Sequence, residues 1–154
     1  MRIVLDTNVL ARAAKPSSGP AREVLIRCTD DPHVLLLSAY ILSELRRVLR
    51  YEHVREMHGL DDAGIDRYIA GVESAGVTVA LPAAPTAPIV AADPGDDPVI
   101  QTALVAQADT LCTRDRHLYH PDVLAYCRSH GIEVIDDIEL LTRLRRDEAP
   151  STNG

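Results

Sequence analysis

Short apolar runs of four to six residues, each followed by a longer amphipathic stretch, constrain the fold of this chain more than any other feature. "RIVLD" (2–6), "HVLLLS" (33–38), "VTVAL" (77–81), "DTLCT" (109–113) and "IEVI" (132–135) read as strands. Between and after them, helical spacing predicts helices over about 20–29, 39–58, 61–75, 98–107 and 121–130. Strands that alternate with helices form βαβ units, and such units build a parallel sheet with helices on its faces. Pro20, Pro98 and Pro121 stand near helix starts, where a missing N–H costs little, and Gly59, Gly76 and Gly131 stand near helix ends.

The chain of 154 residues suits one domain. Its aromatic residues are five tyrosines, so the core must be built from Leu, Val, Ile and Ala. No run approaches the roughly 20 apolar residues of a membrane span, and Asp6 interrupts the N-terminal apolar stretch that a signal peptide would need. Cys28, Cys112 and Cys127 are odd in number and unpatterned, which fits a reducing, cytoplasmic setting. A formal net charge of −7 argues against coating nucleic acid by bulk electrostatics. The tail "RRDEAPSTNG" loses apolar periodicity, so the expected domain covers 1–145 and the expected disordered tail 146–154.

The acids follow the strands. Asp6 ends the first strand, and Glu44 lies early in the helix after the second, on the margin of the stripe made by Ile41, Leu42, Leu45, Val48 and Leu49. Arg46, Arg47 and Arg50 turn away from that stripe, toward solvent or a partner. Asp93, Asp96 and Asp97 crowd the turn "AADPGDDP" (91–98) after the third strand, and Asp115 comes just after the fourth. In an open parallel sheet the carboxyl ends of the strands share one rim, where ligands bind. Carboxylates gathered there cannot all remain ionised without a compensating cation. Hard oxygen donors suit Mg²⁺ or Mn²⁺, and such sites serve phosphoryl chemistry on polyanionic substrates.

With "VLDTNVL" at 4–10, "SEL" around Glu44, "DDPVIQTALVAQAD" and "TRD" at 113–115, the chain resembles the PIN-domain ribonucleases, and among them the VapC-like toxins of toxin–antitoxin pairs. The resemblance covers about 1–145 and implies a three-layer α/β/α fold with a five-stranded parallel sheet in the order 3-2-1-4-5. It implies a ribonuclease dependent on Mg²⁺ or Mn²⁺, with Asp6, Glu44, Asp97 and Asp115 as catalytic metal ligands and Thr7, Asn8 and Thr113 in support. Asp97 is selected by its spacing to the aspartate of "TRD"; as the residue before Pro98 it is also a natural helix N-cap, and Asp96 is the alternative ligand. Asp93 is expected to shape the turn. Arg114 and Arg116, which flank Asp115, are candidates for holding RNA phosphates. The partners implied are an RNA substrate, a cognate antitoxin protein and a second copy of the chain. "DRHLYH" and "IEVIDDIELL" depart from the family's usual endings and bear on substrate-loop geometry.

Other readings meet specific obstacles. Each acid alone could end a strand, cap a helix or sit half-exposed, but four such coincidences would have to share one rim. Cys112, His117, His120, Cys127 and His130 match no zinc-ligand spacing. A haloacid-dehalogenase-like phosphatase would need an aspartate where Asn8 stands, a phospho-receiver domain a lysine late in the sheet where the chain has only Lys15, and a dinucleotide fold glycines within 7–12. A non-catalytic PIN-like binding module would be marked by loss of one or more acids. A housekeeping RNA-processing nuclease is the alternative to a toxin.

Overall fold

The computed structural model describes residues 1–16, 19–83 and 87–148. Its strands are β1 (Arg2–Leu5), β2 (Val34–Ser38), β3 (Val77–Val79), β4 (Thr110–Cys112) and β5 (Glu133–Ile135). They form one sheet in the order β3-β2-β1-β4-β5, and every neighbouring pair is parallel. The helices are α1 (Thr7–Ala13), α2 (Pro20–Cys28), α3 (Ala39–Val48), α4 (Glu52–His58), α5 (Asp62–Ala75), α6 (Asp97–Val105), α7 (Pro121–Ser129) and α8 (Asp137–Glu148). They flank the sheet in the three-layer α/β/α arrangement that the resemblance implies.

The three central strands are apolar on both faces. Ile3, Val4 and Leu5, then Leu35, Leu36 and Leu37, then Leu111 and Cys112 are all sealed from solvent, as strands of a parallel sheet covered by helices must be. The outer strands β3 and β5 are partly exposed. At the hand-off from α5 to β3, a Cβ on Gly76 would stand 2.6 Å from Leu37 Cδ1 and 3.1 Å from the Leu35 carbonyl oxygen, so this close approach needs a glycine.

Three features differ from the sequence reading. The stretch read as one helix over 39–58 is two, because Tyr51 takes an extended conformation (φ −63°, ψ 137°) between α3 and α4. His58 closes the break: its Nδ1 accepts the Leu60 N–H at 2.9 Å, which leaves Nε2 to donate to the Leu49 carbonyl at 2.8 Å. Helices α1 and α8, absent from the reading, follow their strands almost without a turn; Asp6 ends β1 and also caps α1 through the Thr7 N–H. The tail boundary shifts as well. Helix α8 runs to Glu148, and Arg145 pairs with Glu23 and Glu148 with Arg27; the remainder of the expected tail, 149–154, lies outside the described residues.

Candidate active site

The rim formed by the carboxyl ends of β1 and β4 opens into a cleft of about 200 Å³. Asp6, Glu44, Asp96 and Asp115 line it, with Asn8 and Tyr40 beside them. Each acid arrives on its own segment, and each segment places it for a local reason.

Asp6 stands at the end of the central strand and is almost wholly buried. Its carboxylate accepts from the Thr7 N–H at 2.7 Å, Thr113 Oγ at 2.7 Å and Asn8 Nδ2 at 3.2 Å. Burial pushes its pKa up; the Thr113 and Thr7 hydrogen bonds pull the other way, and the charge of Asp115 adds to the rise. Thr113 Oγ also accepts the Asp115 N–H at 3.0 Å, so one buried hydroxyl spaces two of the acids. Asn8 joins the same net through Thr113 Oγ and accepts the Arg114 N–H.

On α3, Tyr40, Glu44 and Val48 recur at intervals of four and face the cleft together. The Tyr40 hydroxyl donates to the Gly95 carbonyl at 2.7 Å and ties the acidic turn to this helix. Glu44 is paired along its own helix with Arg47, whose Nη2 is 2.5 Å from Oε2. Arg47 lies over the Tyr51 ring, 5.5 Å from its centroid. Arg46 and Arg50 point instead to Asp66 and Asp62 on α5. The exposed Glu44–Arg47 pair is a weak tether that a cation in the cleft can displace.

The crowded turn separates two adjacent acids, and it turns Asp97, the residue selected from the sequence, away from the cleft. Asp97 is the first residue of α6 (φ −54°, ψ −41°), not its N-cap. Its buried carboxylate accepts the Ile89 N–H at 3.0 Å and the Val90 N–H at 2.7 Å, holding the preceding loop. Asp96 is the residue that faces Asp6 and Asp115 across the cleft. Its pKa is pushed up to about 8, first by burial, then by the Asp115 carboxyl against it and by the charges of Asp93 and Asp6. Its Oδ2 is sealed from water and finds no donor among the described residues. Asp93 shapes the turn, as expected, by accepting the Gly95 N–H at 3.0 Å.

His117 enters the site from a direction the spacing argument did not anticipate. Asp115 Oδ1 accepts the His117 N–H at 2.9 Å and lies 3.7 Å from Nδ1. One ligand atom from each of Asp93, Asp96 and His117 lies within 4.8 Å of the others. The 3₁₀ turn Arg116–Tyr119 brings the ring round to the acids, and a ligand-spacing rule based on regular elements contains no signal for that. Of the other residues weighed for zinc, Cys112 and Cys127 are buried, and His120 caps α7. Arg114 donates from Nε to Asp137 Oδ1 at 2.6 Å and does not line the acidic cleft. Arg116 is exposed beside it.

A divalent cation fits this donor set. The oxygens are hard, the raised Asp6 and Asp96 carboxyls are short of positive charge, and one buried oxygen has no donor among the described residues. A larger cavity, of about 750 Å³ between α2 and α8, carries among its described lining residues only Glu23 as an acid and lacks such chemistry. A parallel α/β domain that gathers acids from four segments at one strand-end rim belongs to the class of proteins equipped to hold metal against a phosphate ester. A family model for the PIN domain matches residues 2–117, most of the chain. The chain belongs to the PIN-domain family, whose members are generally nucleases. Neither a comparison with curated proteins nor one with solved structures gave a match. Among the described residues no helix is long and apolar enough to cross a membrane.

Proposed function

We propose that the protein is an endoribonuclease dependent on Mg²⁺ or Mn²⁺, and that it serves as the toxin of a toxin–antitoxin pair. The observation that carries the nuclease reading is the convergence of Asp6, Glu44, Asp96 and Asp115 on one cleft, with a buried Asp96 oxygen lacking a donor among the described residues. In this reading Asp6, Glu44, Asp96 and Asp115 hold the cation, and Asp96 takes the place first assigned to Asp97. The bound cation would activate water for attack on a phosphodiester and offset charge on the phosphate. Thr113 and Asn8 fix the Asp6 carboxylate, and the Tyr40 hydroxyl keeps the turn that carries Asp96 against α3. The raised Asp96 carboxyl is poised to give up its proton when a cation arrives. A non-catalytic module is disfavoured because four acids line the cleft together.

The toxin role rests on the sequence resemblance and implies a cognate antitoxin and a homodimer. Growth arrest on expression, relieved by a short neighbouring gene, distinguishes a toxin from a housekeeping nuclease. For the chemistry, Asp6→Asn is the direct test. It should reduce RNA cleavage by at least about a thousandfold, since metal-site catalysis supplies most of the rate, and leave the circular dichroism spectrum unchanged. Cleavage by purified Asp6→Asn at the wild-type rate would overturn the assignment.

A further inference from the structure

Beside the acidic cleft lies a second cavity, of about 300 Å³, with the opposite charge. Arg12 from α1, Lys15 from the loop after it, Arg22 from the first turn of α2 and Arg114 from the segment after β4 all line it. Four cations meet one acid there, Asp137, in a chain whose net charge is −7.

Asp137 does not saturate them. Its buried carboxylate receives Arg114 Nε at 2.6 Å through Oδ1, while Arg12 Nη2 stands 3.5 Å from Oδ2. That Arg12 nitrogen is sealed from solvent and has no hydrogen-bond partner among the described residues. Among the described residues the Arg22 guanidinium donates only to the Lys15 carbonyl, at 3.3 Å, and the Lys15 side chain is exposed. The cavity therefore offers donors and positive charge to an anion from outside the chain.

Its position says which anion. Asn8, which borders the acidic cleft, accepts Arg12 Nε on its carbonyl at 3.3 Å and the Arg114 N–H on its Oδ1 at 3.2 Å. Arg12 follows Asp6 by six residues on α1, about 9 Å along the helix axis. The acids that hold a cation also repel a polyanionic strand, so a strand crossing the cleft needs a cationic anchor next to it.

We propose that this cavity binds a backbone phosphate of the single-stranded RNA whose scissile bond lies in the acidic cleft. The inference rests on the nuclease reading above, and the test separates the two. Lys15→Ala/Arg22→Ala, both at exposed positions, is compared with wild type in cleavage kinetics. It is also compared, on an Asp6→Asn background with Mg²⁺, in fluorescence-anisotropy titrations of a labelled single-stranded RNA oligonucleotide over a range of salt concentrations. Arg128→Glu, on α7 away from both cavities, controls for the same change in net charge.

The double variant should raise Kd about tenfold and flatten the slope of log K against log salt by about 0.7 for each phosphate that it no longer neutralises. In cleavage, KM should carry most of the loss, and Arg128→Glu should match wild type in every measurement. If wild type cuts RNA and the double variant equals it in Kd and salt slope, the phosphate site is refuted while the nuclease reading stands. If wild type neither binds nor cuts RNA with Mg²⁺ or Mn²⁺, the nuclease reading falls and takes the phosphate site with it.

Discussion

Asp96 and Asp97 are adjacent and chemically identical, yet Asp96 lines the acidic cleft while Asp97 turns to the Ile89 and Val90 N–H groups. Asp97 accepts two backbone N–H groups, one of them on the buried Val90. Asp97→Ala would leave those donors without a partner, at roughly 1–3 kcal/mol for each buried group, so urea denaturation should show a loss of about 2–4 kcal/mol. Asp96→Asn should cost little stability in the absence of metal, because it removes a carboxyl that sits against Asp115 and lacks a donor. Its loss should appear in RNA cleavage. The reverse pattern, a stable Asp97→Ala protein and an unfolded Asp96→Asn protein, would invert the assignment. The sequence made it legible that acids gather after the third strand, and spacing selected the wrong side chain of the pair for the cleft. The direction of each is set by where Ile89 and Val90 pass, and the loop that carries them has no periodicity to read. Asp6, Glu44 and Asp115 were easier to place because each is tied to a strand end or to a helix with a clear apolar stripe.

Among the elements, the five strands were legible to within a residue or two because each is a short segment rich in apolar and β-branched residues between helical stretches. The helices that start without a turn were not. Helix α8 opens directly after β5, and its first residue, Asp137, is the buried acid that binds it to Arg12 on α1 and to Arg114. A carboxylate in "VIDDIEL" looks from sequence like solvent-facing charge, and only the packing of α8 reveals it as an anchor. Removing one partner from a fully buried ion pair costs about 3–5 kcal/mol. Here the arginine side chains keep 31% and 43% of their exposure, so part of that cost is relieved by water. Asp137→Ala should therefore lower stability by about 2 kcal/mol in chemical denaturation. A change below about 0.5 kcal/mol would mean that the Asp137 ion pairs add nothing measurable to what holds α8 in place. The split of the 39–58 stretch belongs to the same scale: helical spacing continues through Tyr51, and the break becomes visible only when the ring of His58 is found on the Leu49 carbonyl.

For the whole molecule, the acidic cleft gathers like charges, so a cation held there would make its effect on stability depend on pH. The Asp96 carboxyl, pushed from the ordinary 3.8 up to about 8, contributes stability that is fully present below about pH 4 and is lost as pH rises through about 8. Glu23 and Glu133, held below the usual range by hydrogen bonds from Arg145 and Arg143, act in the opposite sense and are lost only in acid. The cleft's own share is therefore read as the difference between wild type and Asp96→Asn, not from wild type alone. Without metal that difference should widen against wild type between about pH 5 and pH 8. A cation binding the folded form at about a hundred times its Kd adds roughly 2.7 kcal/mol, or about 5–10 °C in Tm for a chain of this size. Because the cation must displace the proton on Asp96, the gain should grow as pH rises toward 8. Thermal melts with and without Mn²⁺ across this pH range check both parts. A gain that is absent, or equally large in Asp6→Asn, would mean that the four acids do not act as one cation site, whatever their proximity.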